Sequence, residues 1–152
     1  MASSNQIRAR IIQIENQNAD IAREISRTKN RVEEVEATRS RVSTAEDSFD
    51  ASQAQRKRRL EQVDTSAGLS KAVQTYASSM REMLDGNQYC NTKSHFQQVR
   101  AAITKQLQDL DAELDRLTAQ QRQNNSTLVS LRSQLSMALA EEAVAAEASS
   151  QG

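Results

Sequence analysis

Through the first fifty residues, apolar side chains recur at alternating steps of four and three: Ile7, Ile11, Ile14, Ile21, Ile25, Val32, Val35, Val42 and Phe49. In a heptad frame, positions 7, 14, 21, 28, 35, 42 and 49 fall at d, and 11, 18, 25, 32, 39 and 46 at a. Only Asn18, Thr28, Arg39 and Glu46 break the apolar run along that seam. Such spacing predicts a long helix packed along a narrow stripe against other helices, since a strand would alternate with a period of two. Ser4 is a plausible N-cap, and the helix should run toward Val63.

The pattern then changes. Asp64-Thr65-Ser66-Ala67-Gly68 gathers cap and turn residues and predicts a chain reversal. A second helix carries Leu69, Val73, Tyr76, Met80 and Met83 and should stop at Asp85-Gly86-Asn87, where Gly86 supplies a left-handed C′ residue. The third helix starts between Asn91 and Ser94. Its stripe is Ile103, Leu107, Leu110, Leu114, Leu117, Leu128, Leu131, Leu135 and Ala138, interrupted only by Gln121 and Asn124. Beyond Ala140 the chain is simple in composition, and residues 141–152 are expected to fray or be disordered. The expected organisation is one domain over 4–140 with helices near 4–63, 69–84 and 92–140.

A reversal near Ser66, with about seven residues bulged out of the returning arm at 85–91, places Asn18 opposite Gln121 to Asn124 and Ile7 near Leu131 to Leu135. Buried amides that meet in this way set register. The fold class is therefore all-α: an elongated antiparallel helical hairpin, or coiled coil, with a break in the returning arm. The alternative folds residues 69–84 back as the third member of a three-helix bundle, which would want a wider apolar stripe.

Composition sharpens this picture. There is no proline and there are only three glycines, so nothing forbids long helices. With 3% aromatic and 37% hydrophobic residues there is too little apolar bulk for a thick core, but enough for a stripe. Twenty basic residues balance twenty acidic ones, leaving no overall field to steer the chain toward nucleic acid. No window is apolar enough to span a membrane, and the start MASSNQIRAR lacks the core of a secretory signal, so a cytoplasmic protein, or one exported without a cleaved signal, is expected.

Catalytic chemistry finds little footing. His95 and Cys90 are single, too few for a zinc site, and no HExxH, CxxC, GxSxG or phosphate-loop pattern occurs. No catalytic residue, cofactor or metal is expected. Arg56-Lys57-Arg58-Arg59 is the one dense basic run, without interleaved aromatics, and reads as a solvated helix face near the predicted tip. The stretch from Leu84 to Phe96 is the least ordinary, bringing Gly86, Tyr89, Cys90, His95 and Phe96 between two helices. There an aromatic can cap a thin core or serve as a recognition knob.

The long amphipathic helix, the shorter second one, the aromatic-and-glycine turn and the Phe96-led Leu-rich helix together resemble the YwqH-like small helical proteins. That family accompanies LXG-type toxins in type VII secretion loci and is related to the WXG-type helical hairpins. Where the family carries Trp-x-Gly and then Phe, this chain has Gly86, Tyr89 and Phe96 and no tryptophan. The Tyr-x-x-x-Asp/Glu export signal is also missing, because Met80 follows Tyr76 and Lys93 follows Tyr89 at that distance. The resemblance implies a targeting factor or chaperone for the helical N-terminal domain of such a toxin, with the partner completing any export signal.

The residues expected to bind a partner are Tyr89, Phe96, Phe49, Leu110, Leu114 and Leu117, with Asn18, Gln121 and Asn124 setting register. Docking would be side by side along the apolar stripe. A self-associating coiled-coil scaffold is the alternative.

Overall fold

The computed structural model describes residues 2–64 and 71–151. It holds three helices, α1 (Ser4–Asp64), α2 (Lys71–Asp85) and α3 (Asn87–Ser150), and no strand among the described residues. The fold is all-α. The expected reversal lies, apart from Asp64, outside the described residues, as does Leu69. The chain divides into two compact units where the sequence predicts one domain: Met1–Arg31 with Asp109–Gly152, and Val32–Gln108.

In the first unit, α1 and α3 run antiparallel. Ser4 bonds Glu142, Glu15 pairs with Arg132, and Asn18 meets Asn125. Ile7, Ile11 and Ile14 pack with Leu128, Leu131 and Ala138, and half-buried Leu135 closes that cluster. Ser3, not Ser4, caps α1. The Ser3 hydroxyl accepts from the Gln6 N–H at 3.3 Å while the Gln6 side chain accepts from the Ser3 N–H at 3.1 Å, a reciprocal capping box. Ser4 is thereby freed to bond across to α3.

In the second unit, the returning arm also runs antiparallel to α1. Leu60 packs with Ala77 and Leu84, and Phe49 meets Tyr89 and Phe96. Both α2 and the start of α3 therefore reach α1. Within this unit they form a returning arm that is broken at Gly86.

The four polar seam positions of α1 resolve differently. Thr28 is buried and donates its hydroxyl to the Glu24 carbonyl at 2.8 Å, which satisfies it locally. Glu46 is buried against cations described below, Asn18 is half-buried, and only Arg39 is exposed. All eleven stripe positions of α3 from Ile103 to Ala138 are buried or half-buried.

The break is one residue wide, not seven. α3 begins at Asn87, and Cys90 N–H donates to the Gly86 carbonyl at 3.2 Å, so helical bonding resumes at once. Heptad phase explains why a break is needed at all. The α2 face facing α1 is Val73, Ala77, Met80 and Leu84, in steps of four, three and four. The next residue turned toward α1 is Tyr89, five further on. In an unbroken helix Tyr89 would lie about 140° around from Leu84 and could not share that face. Gly86 takes up the difference. Its φ lies outside the left-handed region, contrary to the C′ role expected of it. Glycine is needed because a Cβ there would overlap the Glu82 carbonyl oxygen.

α3 also continues through Ser150, where fraying or disorder after Ala140 is expected. The Ala- and Glu-rich run there is strongly helix-forming, and the Glu142 bonds to Ser4 tie its first turn to α1.

Candidate interaction site at the Gly86 junction

Three elements meet around Gly86 in the second unit. From α1 come Phe49, Gln53 and Arg56, spaced four and three so that they form one row along the helix. From α2 come Met80, Met83 and Leu84, and from α3 Gln88, Tyr89 and Thr92. Together they enclose a groove of about 330 Å³. It spans the break at Gly86, with Leu84 lining it from before the break and Tyr89 from after it.

The aromatic residues singled out in the sequence come together here. Phe49 stacks on Tyr89 with ring centroids 5.6 Å apart and planes 16° from parallel. Phe96 tilts against Phe49 at 5.9 Å and 47°. Each ring is half-buried, and Phe49 and Tyr89 line the groove. Offset rings at these separations add roughly 0.5–1.5 kcal/mol per pair beyond area burial.

Charged pairs fix the walls. Lys57 pairs with Asp85 across the helices and lies 5.9 Å from the Tyr89 ring centroid, tying the last residue of α2 to α1. The Asp85 hydrogen bond is the main cause that holds the Lys57 ammonium above its usual pKa. Lys93 donates to Glu46 at 2.6 Å and to Asp50 at 3.0 Å, and those bonds, Glu46 first, raise its pKa likewise. Arg100 also pairs with Glu46 at 3.3 Å. The seam carboxylate of Glu46 is therefore a clasp to the start of α3. An acid at an a position followed by cations on the returning arm is the signal that sequence reading passed over.

One polar atom in the groove wall is unmatched: Gln53 Oε1 is buried with no donor. A buried acceptor without a partner costs about 1–3 kcal/mol relative to one that is bonded. No sequence pattern marked Gln53, which sits among many other glutamines.

The remaining expected site residues lie in the other unit. Leu117 is 1% exposed, so its side chain is taken up inside that unit and has no surface for a partner. Leu110 and Leu114 are half-buried. Asn18 donates to Asn125 Oδ1 at 3.0 Å, not to Gln121 or Asn124. Asn18 Oδ1 and Asn124 Nδ2 are both buried without partners, and Gln121 is half-buried.

Cys90 and His95 are exposed. Among the described residues no group of three or more His, Cys, Asp or Glu side chains is placed to hold a metal, and no helix is long and apolar enough to cross a membrane. No protein-family model, curated protein or solved structure matches this chain.

Proposed function

We propose that this chain is a non-catalytic interaction protein that binds a second helical chain. Following the family resemblance, that chain is the helical N-terminal domain of an LXG-type toxin exported by type VII secretion, and this protein is its targeting factor or chaperone. The observation that carries the reading is an exposed apolar face on α2 continuous with the junction groove. Tyr76 and Met83 are 62% and 65% exposed and stand two turns apart on one side of α2, with Met83 also lining the groove.

Every α1 and α3 seam position but Arg39 is already buried or half-buried, which favours docking on the α2 face over docking along the stripe. The α2 face takes over that role. An amphipathic helix laid against Tyr76 and Met83 would bury surface that α1 leaves open.

Light scattering coupled to size exclusion tests this, using the chain alone and mixed with a purified toxin N-terminal domain. A one-to-one complex, abolished by Tyr76→Asp with Met83→Asp, is the expected result. Failure to form a complex, or one indifferent to those changes, overturns the reading. The competing reading is a self-associating scaffold, favoured by exposed Met137 and Val144 on α3. It requires the isolated chain to run as a stable homo-oligomer.

A further inference from the structure

We infer that the junction groove receives an acidic amphipathic helix, which inserts one aromatic side chain bearing an N–H or O–H donor and sets carboxylates against Arg56 and Arg59. The inference rests on the proposed binding role and names the partner's chemistry.

The charge argument begins with the basic run. At about 100° per residue, Arg56 and Arg59 share one flank of α1, Lys57 lies on the other, and Arg58 faces away from the groove. Lys57 is neutralised by Asp85. Arg56 and Arg59 are exposed and form no ion pair among the described residues, and Arg56 lines the groove itself. The α1 rim is therefore cationic. The far rim carries Glu82 beside Met83 and Gly86. A partner helix fits with its acidic flank toward α1, and a basic one would be repelled there.

The groove floor supplies the second half. Phe49, Tyr89, Met80 and Met83 make a polarisable wall suited to a flat ring. Gln53 Oε1 is a buried acceptor with no donor. An indole N–H or phenol O–H entering with its ring would satisfy it, whereas a purely apolar side chain would leave it orphaned.

The full chain contains no tryptophan, so indole emission reports a ligand alone. The probes are a synthetic amphipathic helix with a central Trp, Leu on its apolar face and Glu on one flank, a second with Lys for Glu, and a third with Phe for Trp, titrated by fluorescence anisotropy from an appended dye. The Glu/Trp peptide should bind roughly five- to tenfold more tightly than its Lys counterpart, the size expected of two rim ion pairs, with a blue shift of the indole band. Arg56→Glu with Arg59→Glu should reverse that order, and Arg58→Glu should not. Gln53→Met should remove the preference for Trp over Phe. Thermal melts followed by circular dichroism check that the variants are folded.

Equal binding of the Glu and Lys peptides, no binding of either, or an Arg58→Glu effect as large as the double change would overturn the inference. A toxin-domain complex that survives these groove changes removes the groove and leaves the proposed function standing. Peptide binding without any helical-domain complex does the reverse.

Discussion

Leu117→Ala offers the sharpest test of how the first unit holds together. Leu117 is the most deeply buried large side chain among the described residues, 1% exposed. The substitution removes three carbons, and at about 0.8 kcal/mol per buried CH₂ the transfer loss alone is about 2.4 kcal/mol. A cavity term adds to this, but helices that pack along a narrow seam close over a gap more readily than a thick core does. A total of about 2.5–3.5 kcal/mol follows. Leu114 lies one step earlier on the same stripe and is half-buried, so the same truncation there should cost about 1–1.5 kcal/mol. Urea unfolding followed by the helical circular dichroism signal measures both. The two residues belong to one unit, so their ratio stays meaningful should the units unfold separately. If Leu114→Ala is as damaging as Leu117→Ala, or if Leu117→Ala costs less than about 1 kcal/mol, burial is not what sets the energetics of this seam.

Other substitutions test the junction, the seam and the helix end. Gly86→Ala would gain about 1 kcal/mol at an ordinary helical site. Here the overlap with the Glu82 carbonyl reverses the sign, so a lowered melting temperature and a changed Tyr89 near-ultraviolet signal are expected. Asn18→Leu with Asn124→Leu removes two unmatched buried polar atoms and should raise the urea midpoint, worth about 1–2 kcal/mol. Glu46→Ala leaves Lys93 with only Asp50 and should destabilise the second unit more than Glu46→Leu does, because the seam position accepts an apolar side chain. The Glu142 carboxyl is held below the usual carboxylate range by the Ser4 N–H and then the Ser4 hydroxyl. A depressed folded-state value stabilises above the unfolded pKa of about 4.3 and is lost as pH falls through the lower folded value. Amide exchange in the first turn of α1 should therefore quicken below about pH 4, and Glu142→Gln should abolish that dependence.

Helices and their inward faces were legible because the apolar period in both arms is nearly unbroken. Every α3 stripe position lies inward, and on α1 only Arg39 departs, but on α2 the expected Tyr76 and Met83 point outward and Ala77 and Leu84 take the inward places. What stayed hidden was local. The glycine and polar cluster at 85–91 looks like a loop, yet Asn87 to Asn91 continue as helix once Gly86 has corrected the phase. Glu46 reads as a flaw in the seam because its cations lie more than forty residues away on the returning arm. The stretch holding Tyr89 and Phe96 was recognisable as unusual, but its meeting with Phe49, and the meaning of Gln53 and the rim arginines, emerge only once α2 and α3 stand beside α1. Leu117 looked like a candidate contact for the same reason that Leu114 did, since periodicity ranks positions on a stripe equally and depth does not.

The kink at Gly86 is also a matter of counting. Between the inward faces of α2 and α3 the chain carries two residues more than a continuous heptad allows, since Leu84 is followed by Tyr89 and not by position 87. Deleting Asn87 and Gln88 would put both stripes in step, and the arm could then run straight with no glycine and no cleft. Gain or loss of such a groove thus needs no new side chain. A shift of two codons is enough.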